Sequence, residues 1–164
     1  MRIISYIILG IIIFVFFTSL NFYNTKNEMV NYFLRTFYHA DLNHIIANGI
    51  SFYSLSFIEN VLGSGQFLFA MIFIWMISTI ILYSIHSIFP SRKKLTVGFS
   101  GVIFGLMVIY VFLMNKSPGI SMAGLIISII PQLVFPGVSF EGHLSGIIAG
   151  FMYVMLFPVN KYKV

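Results

Sequence analysis

The chain has 164 residues, 59% hydrophobic and only 8% charged, against about 25% charged residues in soluble domains. With a mean hydropathy of +1.00 it lacks the polar surface to sit in water, and its length fits one polytopic membrane domain. The net charge of +5 does not indicate a nucleic-acid partner. The cations lie at the termini and in loops, with one short cluster at Arg92, Lys93 and Lys94 and no basic face interleaved with aromatics. The absence of cysteine excludes disulfides, thiolate metal ligands and a cysteine nucleophile.

In chain order, residues 3–20 form an apolar run behind a single charge, Arg2. A cleaved signal peptide has that shape, but no small-x-small site follows, so the run is expected to stay as a first span. Residues 21–43 are the most polar stretch, and the spacing of Phe33, Leu34, Phe37 and Tyr38 suits a segment lying in the interface. Residues 44–59 make a short second span, too polar to face lipid all round. Gly63, Ser64 and Gly65 mark a turn. Residues 66–88 are the most lipid-like span, and Pro90 with the basic triplet forms the next loop. The remaining spans are 98–114, 119–135 and 143–157, with Pro131 expected to kink or end the fifth. The expectation is an all-α bundle of six transmembrane helices within residues 1–164.

Six spans impose a geometry. The second, fourth and sixth run in one direction. His44 and Asn48 open the second, Ser100 the fourth and His143 the sixth, so all four polar groups fall on one side of the membrane. His44 and Asn48, four apart, share a helix face. Gly101 and Gly105 on one span and Gly146 and Gly150 on another, with Gly142 extending the row, are small-xxx-small faces that let backbones approach closely. If these faces meet, Ser100 and His143 are drawn together.

Taken alone, Ser100 between two glycines reads first as a packing residue. The convergence gives it chemistry. A serine hydroxyl needs a base to become a nucleophile, and histidine suits that role near neutral pH. His44, Asn48 and the Ser100 backbone N–H are suitable donors to an oxyanion. Asp41 lies near His44 and not His143, and Glu141 is expected to point elsewhere, so a dyad is expected. His39 reads as a structural residue near the site, His86 as an interfacial residue at the end of the third span, and Trp75 as a mid-span packing or lipid-facing residue. Four scattered histidines without a His-Glu-x-x-His pattern suggest no metal site, and no cofactor is expected.

Three stretches together resemble the rhomboid family of intramembrane serine proteases. They are His-Ala-Asp-Leu-Asn-His-Ile-Ile-Ala-Asn (39–48), Gly-Phe-Ser-Gly-Val-Ile-Phe-Gly-Leu (98–106) and Gly-His-Leu-Ser-Gly-Ile-Ile-Ala-Gly (142–150). They are similar to that family's His-xxx-Asn, Gly-x-Ser-Gly and His-xx-Gly-xxx-Gly motifs, in order. Residues 37–41 and 136–143 look closest to the rhomboid-4 type. The resemblance implies Ser100 as nucleophile, His143 as base, and His44 and Asn48 at the oxyanion. It also implies Gly98 before a strained serine turn and Val97 at a backbone-donor position. The large membrane-embedded first loop of bacterial rhomboids and its Trp-Arg pair have no match here.

The resemblance further implies transmembrane protein substrates in a lipid bilayer, cut near helix ends where the chain can unwind. It places the amino terminus in the cytosol and the site towards the lumen or exterior. The charges do not choose a side: Arg2, Lys116, Lys161 and Lys163 balance Lys26, Arg35 and the basic triplet. Endoplasmic reticulum and plasma membrane both stay open. Two other classes compete. A non-catalytic rhomboid-fold binder, such as the family's pseudoproteases and derlins, usually lacks the serine or the histidine. A small transporter or channel subunit calls for paired charges inside the spans, and this chain has essentially none there.

Overall fold

The computed structural model describes residues 2–18, 24–114, 118–134 and 139–159. Among them there is no strand. The helices are α1 (Ile3–Thr18), α2 (Glu28–Arg35), α3 (Leu42–Leu55), α4 (Phe57–Leu62), α5 (Ser64–Ile88), α6 (Ser100–Met114), α7 (Pro118–Ile129) and α8 (Phe140–Leu156). Short 3-10 turns cover Pro90–Arg92 and Ile130–Leu133.

By length and composition, two segments can cross a membrane: Leu42–Leu62, which joins α3 to α4, and Ser64–Ile88. Ile3–Thr18, Ser100–Met114, Pro118–Leu133 and Phe140–Leu156 are shorter apolar helices. The 15 residues of α6 extend about 22 Å at 1.5 Å each, less than a hydrocarbon core of about 30 Å. Outward faces carry Phe14, Phe17, Ile46, Ile50, Phe69, Ile72, Phe151 and Met155, all exposed. In water such a belt is costly; against lipid tails it is matched.

The centre of the fold is the α6–α8 pair, and glycines set its spacing. A Cβ on Gly146 would overlap the Gly101 carbonyl, and one on Gly150 would overlap that of Gly105. A Cβ on Gly101 would meet the Gly142 carbonyl at 3.3 Å. The two small-residue rows therefore face each other backbone to backbone. Around them Phe52, Phe67, Phe99, Leu106, Ile109 and Tyr153 are fully buried, and Gln66 donates from Nε2 to the Tyr153 hydroxyl at 2.5 Å.

α1 is docked through a buried carboxylate. Glu59, 1% exposed, accepts the backbone N–H groups of Ile4 and Ser5 at 2.9 Å each, the Ser5 hydroxyl at 2.7 Å and the Ser64 hydroxyl at 2.7 Å. The first turn of a helix has N–H groups without internal partners and a positive dipole end, so a carboxylate there is stabilised twice. The part of the expected first span beyond Thr18 lies outside the described residues.

Several boundaries differ from the sequence reading, each for a local reason. The helix at the expected second span starts at Leu42, because the Asp41 side chain caps α3 by accepting the His44 N–H at 2.8 Å. It breaks at Ser56 and continues to Leu62. The helix at the expected sixth span starts at Phe140 behind Ser139, whose hydroxyl accepts the Gly142 N–H at 3.0 Å. The fifth leaves α-helical geometry after Ile129, since Pro131 has no N–H to continue the ladder. The turn expected at 63–65 reduces to Gly63, with Ser64 and Gly65 already in α5.

His86 corrects another expectation. It does not reach an interface: it is 3% exposed, and its Nδ1 pairs with the Tyr32 hydroxyl at 2.8 Å. The reason is α2, which lies over the end of α5. Trp75 packs edge-on against Phe33 and Phe37 and donates its indole N–H to the Phe33 carbonyl at 3.2 Å.

Candidate active site

Ser100 is the first residue of α6 and His143 lies in the first turn of α8. The glycine contact between these helices brings His143 Nε2 to 2.8 Å from Ser100 Oγ. Phe104, one turn after Ser100 and so on the same face, stacks on the His143 ring with centroids 4.3 Å apart and planes inclined by 24°. On the far side of the ring, His143 Nδ1 lies 2.6 Å from Gln132 Oε1.

Gln132 was missed in the sequence. It comes from the 3-10 turn that follows α7, and no fixed spacing connects it to His143. The available signal was a polar residue directly after a helix-ending proline in an apolar segment. Phe104 was also missed, although its i+4 relation to Ser100 was legible.

The loop before Ser100 is tied at several points. The Thr96 hydroxyl lies 3.1 Å from that of Ser139, which joins it to the start of α8. The Gly98 N–H donates to the Arg35 carbonyl at 3.0 Å. Gly98 itself has φ +106°, a conformation that L side chains rarely adopt. A Cβ there would fall 2.6 Å from both Cε1 and Nε2 of His44. Glycine at 98 thus serves two needs, the turn into α6 and the room for His44.

His44 and Asn48 lie on α3 and border the same cavity as Ser100 and His143, which has a volume of about 670 Å³. Val97 lines it as well, with Ile103, Phe104 and Met107 forming its apolar side. Asn48 is buried and donates from Nδ2 to the His44 carbonyl at 2.9 Å; an amide nitrogen has a second hydrogen to give. Ser100, at the first helical position, carries an N–H without an intrahelical partner by geometry. Gly101, Gly105, Gly146 and Gly150 contribute no chemistry here; they set the distance between the two helices.

His39 is 2% exposed, edge-on to His44 with ring centroids 5.0 Å apart. Desolvation, and then the neighbouring His44, pushes its pKa down from 6.5 to about 4, so it is neutral at physiological pH. It packs rather than reacts. Asp41 is spent as a cap, and Glu141 pairs with Arg92 at 3.2 Å; neither carboxylate adjoins His143. Among the described residues no three His, Asp or Glu groups gather as a metal cluster.

Comparison with known proteins agrees with this architecture. Residues 26–159 match the Rhomboid domain family. A protein of Acanthamoeba polyphaga mimivirus, provisionally named as a rhomboid protein, is 55% identical over 164 residues, covering 100% of this chain and 96% of that protein. Rhomboid-like protein 14, mitochondrial, of Arabidopsis thaliana is 28% identical over 148 residues, which is 79% of this chain and 43% of that protein. An uncharacterized protein of Mycobacterium tuberculosis is also 28% identical, over 76% of this chain and 58% of its own length. The match runs through α2 to α8 and takes in every motif residue around the cavity, and the chain belongs to the rhomboid family of membrane proteins.

Proposed function

We propose that the chain is an intramembrane serine endopeptidase in which Ser100 is the nucleophile and His143 the general base. The observation that carries this reading is the 2.8 Å approach of Ser100 Oγ to His143 Nε2 beside an open cavity. Its six apolar segments cross the bilayer, and the site faces the side reached by the starts of α3, α6 and α8. Within the family, residues 37–41 and 136–143 favour the rhomboid-4 type; residues 136–138 lie outside the described part of the structure.

A transmembrane substrate unwinds locally so that one peptide carbonyl leaves its helix, because a bond inside an intact helix is shielded. Ser100 Oγ attacks the carbonyl carbon while its proton passes to His143 Nε2. The carbonyl oxygen becomes an oxyanion, held by His44, the spare Asn48 amide hydrogen and the backbone N–H groups at Ser100 and Val97. One such donor is worth about 3 kcal/mol. Collapse breaks the C–N bond, and the leaving amine takes the proton from His143. An acyl ester on Ser100 remains. Water entering by the cavity then loses a proton to His143 as it attacks, and the ester C–O bond breaks as His143 returns that proton to Ser100 Oγ, which frees the new carboxyl end.

The test is cleavage of a fluorogenic transmembrane peptide with helix-breaking residues near one end, in lipid vesicles. Wild type should cleave it, and Ser100→Ala and His143→Ala should not. A folded wild type that binds a panel of such peptides without cutting any would replace this reading with that of a non-catalytic membrane-protein binder.

A further inference from the structure

The His143 ring is held at both nitrogens and on one face. Nε2 meets Ser100 Oγ at 2.8 Å, Nδ1 meets Gln132 Oε1 at 2.6 Å, and Phe104 covers a ring face. Stacking leaves the ring free to swivel in its own plane; a hydrogen bond at Nδ1 removes that freedom. We infer that Gln132 is the positioning residue that locks His143 in its Nδ1–H tautomer and aims Nε2 at Ser100. The inference rests on the endopeptidase reading and deepens it.

The argument is one of proton accounting. A neutral imidazole carries one N–H. To accept a proton at Nε2, His143 must hold its own proton at Nδ1. An amide oxygen only accepts, so Oε1 at Nδ1 selects that tautomer. The opposite amide orientation would present an N–H to Nδ1, move the imidazole proton to Nε2 and leave Ser100 without a base. The third member of the array is thus a neutral amide, not a carboxylate. It orients the ring without supplying a negative charge.

The placement depends on Pro131. By ending α7 it produces the turn that carries Gln132 to His143. The titratable and charged groups that line the cavity beside His143 are His44 on α3, Asp41 at the N-cap of that helix and Lys94 in the loop before α6; Glu141, two residues before His143 on α8, is paired with Arg92. Gln132 also borders a separate cavity of about 340 Å³ lined by Arg92, Lys94 and Glu141. It is half-buried, so substitution there is tolerable to the fold.

The experiment compares wild type, Gln132→Met and Gln132→Glu in nanodiscs, with Ser100→Ala as blank. Three quantities are read: kcat and KM on the fluorogenic transmembrane peptide, the pH profile of kcat/KM, and the imidazole 15N shifts of His143. Gln132→Met keeps the length and loses the acceptor. It should lower kcat about 100-fold with KM within about twofold, and its 15N shifts should report a mixture of tautomers. Gln132→Glu should restore the Nδ1–H tautomer and recover activity. Its carboxylate also stabilises the imidazolium, so the acid limb should move to higher pH by about one pH unit or more. Wild-type kcat and an unchanged tautomer in Gln132→Met would overturn the inference, as would an unmoved acid limb in an active Gln132→Glu. The 15N readout needs no turnover. A wild type without activity would defeat the endopeptidase reading, while the tautomer would still decide the role of Gln132.

Discussion

Gly98→Ala is the sharpest single perturbation of the site. The substitution meets two obstacles. The backbone stands at φ +106°, and holding an L residue in such a region costs about 1–3 kcal/mol. The new methyl would also lie 2.6 Å from Cε1 and Nε2 of His44, where carbon atoms need about 3.5–4.0 Å. His44 must therefore retreat by about 1 Å, or the turn must open and carry Ser100 with it. Displacements of that size cost about 100-fold in rate. The assay is kcat/KM on the fluorogenic peptide, with thermal stability measured in parallel. Gly124→Ala is the control, because a Cβ there meets nothing within 4 Å; it should leave the rate unchanged. A Gly98→Ala protein that cleaves at the wild-type rate would refute the placement of His44 against the serine turn.

Three further outcomes follow from the packing and the buried charges. Gly146→Ala puts a methyl onto the Gly101 backbone, which no rotamer change relieves; α6 and α8 must part, at a cost of about 3 kcal/mol, visible as a large drop in melting temperature, whereas Gly10→Ala should be neutral. Glu59→Gln turns an acceptor of four hydrogen bonds into a group with one acceptor oxygen. It should cost about 2–4 kcal/mol and show as faster amide exchange at Ile4 and Ser5; unchanged exchange would mean that α1 is held elsewhere. His39 is neutral when folded down to about pH 4 and protonates near 6.5 when unfolded. The unfolded state therefore binds more protons between those values, and stability falls as pH drops through that window. At most the loss is about 3 kcal/mol, and a His39→Phe variant should show a flatter pH dependence than wild type.

What the sequence made legible was local. The His44 and Asn48 pairing is an i, i+4 relation on one helix, the serine turn is announced by Gly98, and the glycine rows on α6 and α8 are periodic patterns that needed only a partner. The pairing and the rows are fixed by helix geometry, so spacing alone revealed them, whereas the role of Gly98 was implied by the family resemblance. Gln132 was not legible because its approach to His143 depends on where α7 stops and on how a 3-10 turn swings. Glu59 was hidden for a similar reason: its partners, Ile4 and Ser5, are backbone groups of a distant helix, and nothing in an apolar run announces which end will receive a carboxylate. His86 was misplaced because a helix end looks interfacial until another element, here α2 with Tyr32, is seen to cover it.

The central claim is that Ser100 is an activated nucleophile. The most direct measurement is labelling by a fluorophosphonate probe in mild detergent, comparing wild type with Ser100→Ala and His143→Ala. Labelling of wild type, absent from both variants at equal folding, is the predicted result. A well-folded wild type that takes no label, or a label that persists in Ser100→Ala, would contradict it.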